Sequence, residues 1–189
     1  MKKETILLVV VTLVVGLLVG ILVNQSARRS RPATVTSPQA VPQVDYQKQI
    51  QMLERVVADD PGNSNAWVEL GHLYFDLGQH MQAVEAYDKA LELQPSNPNV
   101  LTDQGVMFRR LGWYDRAVGN FLKAQEVDPT HPQSMFNLGV VYRYDLQDFP
   151  KAREVWKKFL TVVSTGPTAD QVRAELRALE TLPAPPPGR

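Results

Sequence analysis

Residues 64–97 read SNAWVELGHLYFDLGQHMQAVEAYDKALELQPSN, and the same spacing of residue types returns downstream. Aligning Trp67 with Leu101 and Met135 gives an offset of 34 residues each time. In that register Leu70 meets Gln104 and Leu138, Gly71 meets Gly105 and Gly139, and Tyr74 meets Phe108 and Tyr142. Further along, Gly78 matches Gly112, Ala83 matches Ala117, Tyr87 matches Phe121, Ala90 matches Ala124 and Pro95 matches Pro129. A fixed period of this length marks stacked supersecondary units, each too small to bury its own apolar face.

Each unit reads as two short amphipathic helices. Gly71 and Ala83 let the pair approach closely, Tyr74 and Tyr87 fill the space around that contact, and Ala90 lets the next unit dock. Gly78 and Gly112 make the turn within a unit. Pro95 and Pro129 end the second helix, because proline forces the residue before it out of helical geometry. The spacing Trp, Leu-Gly, Tyr, Ala, aromatic, Ala, Pro resembles the tetratricopeptide repeat, with unit one matching at all its signature positions. The resemblance implies an all-α helix-turn-helix solenoid of about three repeats: 64–97, 98–131 and an irregular third over 132–166.

Repeat three departs from the pattern. It has one extra residue between Tyr142 and Ala152, and Phe159 stands where alanine is expected. Pro150 is tolerable in the first turn of a second helix. The bulk of Phe159 argues against a regular fourth unit and for a differently angled closing helix. Before the repeats, residues 45–63 predict one helix of a degenerate unit, with Ile50, Leu53 and Val57 on one face. After them, 167–181 predicts a capping helix: Thr168 and Gln171 form a capping box, and Val172, Leu176 and Leu179 line one face.

Outside the repeats, Ile6 to Val23 is an apolar run broken only by Thr12, Gly16 and Gly20. As a helix it spans roughly 27 Å, close to the hydrocarbon thickness of a bilayer. The run is longer than a signal-peptide core and lacks small residues at a cleavage spacing, so 1–23 is expected to be an uncleaved anchor. Lys2 and Lys3 precede it and Arg28, Arg29 and Arg31 follow, a near balance that leaves the side of the membrane open. Gly16 and Gly20 make the G-x-x-x-G spacing of a candidate homodimer face. Residues 24–44, rich in Ser, Thr, Gln, Ala and Pro, are expected to be a disordered tether reaching about 65 Å if extended. The tail 182–189, LPAPPPGR, has the same character.

Composition bounds the chemistry. The 189-residue chain has 20 basic and 20 acidic side chains and no cysteine. Zero net charge without a basic block argues against a nucleic-acid binder. The lack of cysteine excludes disulfides, thiolate catalysis and thiolate-bound zinc. His72, His80 and His131 fall in groove, turn and inter-repeat loop, and no metal, phosphate-loop or serine-elbow motif is present. The expectation is no enzyme, no catalytic residue, no metal and no cofactor.

Resemblance to the family implies a protein or peptide ligand in a concave groove lined by the first helices. Its groove positions carry over to Asn65, Val68, His72, Phe75 and Asp76 in repeat one. They fall on Asn99, Thr102, Val106, Arg109 and Arg110 in repeat two, and on Gln133, Phe136, Val140, Arg143 and Tyr144 in repeat three. Arg109 and Arg143 are equivalent positions that, with Arg110, could fork onto a carboxylate or acidic segment. The competing reading is a solvated face paired with Asp103 and Asp145. Val68, His72 and Val140 stand where chaperone adaptors carry their carboxylate-clamp residues, which argues against that activity. Charge reversal at Arg109 and Arg143 is expected to weaken partner capture with little loss of helicity.

The architecture is similar to anchored repeat subunits of cytochrome c maturation (haem lyase) systems. That resemblance implies a single-pass protein of the bacterial inner membrane, its domain facing the periplasm and holding apocytochrome segments. The alternatives are a cytoplasm-facing scaffold or regulator of envelope assembly, suited to ARRSR at 27–31, and a self-assembling structural protein.

Overall fold

A computed structural model of the chain describes residues 45–181, and the expected anchor, tether and tail lie outside them. Eight α-helices follow one another in the described part. They are α1 (Tyr46–Asp59), α2 (Ser64–Asp76), α3 (His80–Leu93), α4 (Pro98–Arg110) and α5 (Tyr114–Val127). There follow α6 (Pro132–Val140), which runs on into a π-helical turn over Val141–Asp145, then α7 (Phe149–Val162) and α8 (Pro167–Glu180). The units pair α2 with α3, α4 with α5, and α6 with α7, flanked by α1 and α8.

Local chemistry sets the boundaries. Asn63, Asn97, His131 and Asp148 each accept a backbone N–H from the first turn of the helix they precede, which satisfies donors that a helix start leaves without partners. The turn between α2 and α3 closes with the N–H of Gly78 on the carbonyl of Phe75 and that of Gln79 on Tyr74. This is a Schellman closure, and it needs a left-handed residue, supplied by Gly78 at φ 69° and by Gly112 at φ 77° in the next unit. Ahead of Pro95 and Pro129, Gln94 and Asp128 leave helical geometry as expected, at ψ 80° and 97°.

Within each unit one glycine lies beneath one ring. A Cβ added to Gly71 would meet the Tyr87 ring at 2.4 Å, one on Gly105 the Phe121 ring at 2.6 Å, and one on Gly139 the Trp156 Nε1 at 2.1 Å. The three rings are fully buried, together with Ala83, Ala117 and Ala152. A second, smaller apolar cluster joins Ile50 and Val57 of α1 to Ala66, Leu70 and Ala86, so α1 seals the start of repeat one as the second helix of a missing unit would.

The extra residue in repeat three is absorbed by the π turn Val141–Asp145 and by Gln147 at φ 55°. A helix lengthened by one residue keeps its flanking registers only by widening one turn. Phe159 is buried at the alanine position, its ring 6.2 Å from that of Phe136. The capping box expected at Thr168 and Gln171 does not form. Gly166, at φ 97°, precedes the helix and Pro167 takes its first position, so Thr168 lies inside the first turn and no side chain caps the start.

Pro98, Pro132 and Pro167 open successive first helices, which makes α8 the first helix of a truncated fourth unit, 35 residues after α6 because of the extra residue. The positions that would face a second helix are then Asp170, Arg173, Ala174 and Arg177 in place of Trp67, Leu70, Gly71 and Tyr74. Ala169, Val172 and Leu179 are buried against repeat three, while Arg173 pairs with Asp170 on the outer side. The solenoid closes by making polar the face that nothing follows.

Candidate peptide-binding groove

Hydrogen bonds between first helices run along the groove face. His72 Nε2 lies 3.3 Å from Asp103 Oδ2, tying α2 to α4. His131 Nε2 lies 3.0 Å from Asn99 Oδ1, tying the start of α6 to α4. Arg109 Nε donates to Asp145 Oδ2 at 2.5 Å, and its Nη2 reaches Oδ1 at 3.4 Å. Tyr144 Oη donates to Glu175 Oε1 of α8, and Arg143 Nε stands 3.9 Å from the other oxygen of that carboxylate. Successive units are therefore joined by polar rungs on their ligand-facing side as well as by apolar packing.

Of the predicted groove residues, Asn65, Asp76, Asn99, Arg110, Gln133 and Tyr144 are exposed. Val68, His72, Phe75, Val106, Arg109, Phe136, Val140 and Arg143 are half-buried. Thr102 departs from the expectation. It is 0% exposed, its hydroxyl donating to the carbonyl of Pro98 and lying 3.4 Å from His131 Nδ1. A threonine satisfied by its own helix and covered by the next repeat has no surface to offer a ligand.

The two equivalent arginines also face carboxylates of the chain itself, although Arg143 Nε is buried without a hydrogen-bond partner among the described residues. Arg109 forks onto Asp145, with side-chain exposures of 30% and 15%. Arg143 faces Glu175 and lies over the rings of Tyr144 and Phe149, its guanidinium carbon 5.3 and 5.0 Å from their centroids. Of the two acids expected to pair with arginines, Asp145 does so, whereas Asp103 meets His72. Arg110 is exposed and makes no ion pair among the described residues. A ligand carboxylate would compete with Asp145 at Arg109 and with Glu175 at Arg143.

At the far end of the groove is a pocket of about 380 Å³, lined by Pro132, Gln133, Phe136, Phe159, Val163, Thr168 and Gln171. Its walls are mostly apolar, with three polar side chains at the rim. Thr168 and Gln171 occupy in α8 the positions of Gln133 and Phe136 in α6, so the pocket lies between two successive first helices. The groove residues on α8 were missed by carrying positions only as far as repeat three. The proline register would have found them.

The hydrogen bond to Asp103 is the main influence raising the His72 pKa above its ordinary value, opposed by partial burial. A folded pKa above the unfolded one stabilises the fold below the unfolded value, and that contribution is lost as pH rises through the folded value. The expected result is that the wild type exceeds an Asp103→Asn variant in stability by more at about pH 5.5 than at about pH 8. Denaturant melts at the two pH values check this, and an equal gap would exclude a charged His72–Asp103 rung.

Comparison with known proteins fits the geometry. The tetratricopeptide repeat family matches residues 64–97, 86–119 and 133–162. The described domain is built of tetratricopeptide repeats. The second match is phased across units, taking the end of α3 with α4, as a continuous solenoid permits. A crystal structure of MamA protein is similar at TM-score 0.66 and 20% identity, over 71% of this chain and 72% of that one. A tetratricopeptide repeat protein from Parabacteroides merdae gives TM-score 0.65 and 21% identity, over 72% of this chain and 54% of that one. The first repeat domain of Spaghetti (RPAP3), bound to an HSP90 peptide, gives 0.57 and 20%, over 62% and 90%. No curated protein matches the sequence. At these identities the solved structures establish the fold alone.

Proposed function

We propose that the chain is a membrane-tethered adaptor that holds an extended segment of a partner protein in its concave groove and performs no chemistry itself. The observation behind this is the open, mostly apolar pocket between α6 and α8, on the face where the half-buried Val68, Phe75, Val106 and Val140 also stand. Small apolar concavities with a few polar groups at the rim are where ligand side chains anchor. A peptide seated in the repeat domain of Spaghetti supports the mode of binding, not the identity of the ligand.

The tether rests on the apolar run 6–23, and the inner membrane of a bacterium, with the domain on the periplasmic side, is the placement we favour. The similarity of layout to haem lyase subunits makes apocytochrome segments the first clients to test, by haem-dependent co-purification. Protease digestion of the domain in intact spheroplasts is the expected result. Protection would move the proposal to a scaffold inside the cell.

The groove itself is tested by a photo-crosslinking amino acid placed at Val106 or, as control, at exposed Lys123 on α5. Adducts are expected at Val106 and not at Lys123. Equal labelling at both positions, or none at Val106, would sink the groove assignment.

A further inference from the structure

The two ends of the groove differ in charge. At the end formed by α2 and α4, Asp103 meets His72, and the charges of Glu69 and Asp76 also act on that ring. Glu69 and Asp103 are equivalent positions of successive units, and Glu69 and Asp76 are exposed on one face of α2, seven residues apart. At the other end Arg109 forks onto Asp145, Arg143 stands 3.9 Å from Glu175 with its buried Nε lacking a hydrogen-bond partner among the described residues, and the surface is the apolar pocket.

A second observation bears on the acidic end. Tyr87 is 0% exposed, and its hydroxyl finds no hydrogen-bond partner among the described residues. Its ring crosses Gly71 and meets the His72 ring edge-on at 5.8 Å. An added Gly71 Cβ would stand 3.0 Å from its Cζ, so the hydroxyl end of the ring lies at α2 beside His72; burial first, and then the carboxylates of Asp103, Asp76 and Glu69, push its pKa up. Packing does not require this hydroxyl. The equivalent ring in repeat two is Phe121, which has none, and in repeat three it is Trp156, whose Nε1 donates to the carbonyl of Phe136. A buried hydroxyl without a partner is costly, and where one is kept its function is a natural explanation.

We propose, resting on the groove reading above, that the ligand is an extended peptide bearing a lysine or arginine side chain received between α2 and α4 by Glu69, Asp76 and Asp103, over the buried Tyr87 hydroxyl, and a bulky apolar side chain received by the pocket between α6 and α8. The two subsites are two first-helix steps apart. Helix axes pack about 8–10 Å apart and an extended chain advances about 3.3 Å per residue, so the two side chains stand about five or six residues apart. The carboxylates give the site its preference for a cation, since an acidic side chain there would face three like charges. Protonated His72 competes with the ligand cation for the same carboxylates, so capture is weaker at about pH 5.5 than at about pH 8.

The test is fluorescence anisotropy of the full chain in detergent with labelled Ser/Ala decapeptides. The probe carries Lys and Leu six residues apart, and its counterparts replace Lys by Glu, replace Leu by Ser, or shorten the spacing to two. The Lys–Leu peptide is expected to bind about tenfold tighter than each counterpart. Glu69→Lys with Asp76→Lys, both at exposed positions, is expected to abolish the preference for Lys over Glu. Thr168→Arg at the pocket rim is expected to abolish the preference for Leu over Ser. Equal affinity for the Lys and Glu peptides, or no binding of the Lys–Leu peptide while crosslinks at Val106 persist, overturns this inference and leaves the groove reading standing. Loss of the Val106 crosslinks defeats the groove reading itself.

Discussion

Replacing Gly139 by alanine is expected to lower the melting temperature by about 5–10 °C, for a loss of about 2–3 kcal/mol. The added Cβ would stand 2.1 Å from Trp156 Nε1 and 2.4 Å from its Cδ1, far inside contact distance. Trp156 cannot turn away freely, because it is fully buried and its Nε1 donates to the carbonyl of Phe136 at 3.2 Å. Either the indole loses that bond or α6 and α7 separate. Gly119 makes the contrast. It lies in the interior of α5, is exposed, and has nothing within 4 Å of an added Cβ. There alanine meets only its own helix, where it is the better former by about 0.5–1 kcal/mol, so Gly119→Ala is expected to raise the melting temperature. Thermal melts of the two variants decide between close packing and helix propensity as the role of Gly139. A rise for both would mean that the α6–α7 contact is looser than described.

The contrast between these two glycines also shows what the sequence discloses. Gly71, Gly105 and Gly139 recur at the period and each faces a ring, so their role is readable from register alone; Gly119 stands outside the pattern and outside the core. The turns at Gly78 and Gly112 and the helix ends before Pro95 and Pro129 are readable for the same reason, since each rests on one residue's backbone restriction. The site was less accessible. Position five of a unit points into the groove in general, yet Thr102 bonds back to Pro98 and is covered by His131, an outcome set by its hydroxyl and by a neighbour from the next repeat. The engagement of Arg143 depends on Glu175, which lies beyond the extra residue of repeat three, where the period no longer gives the register. Contacts within one unit follow from the repeat; contacts across an irregularity do not.

That distinction changes the expected behaviour of the arginines. The double variant Arg109→Glu, Arg143→Glu would set new carboxylates against Asp145 and Glu175, turning two attractive rungs into repulsive ones. The expected loss is about 2 kcal/mol, a fall of about 4–8 °C, largest at low ionic strength because the pairs are partly exposed and open to screening. Reversal would then act on the solenoid as well as on any ligand, so the expectation of weakened capture with little loss of helicity has to be read beside the change in melting temperature. Exchanging the charges, Arg109→Glu with Asp145→Arg, is expected to recover part of the stability, though not all, because the fork from Nε and Nη2 onto one carboxylate depends on where each backbone stands. The coupling in that cycle measures the rung directly. If the doubly reversed variant melts with the parent while capture is lost, the guanidinium groups serve the ligand and not the solenoid, and the cationic ligand proposed for the other end of the groove would have to carry an acid at this one.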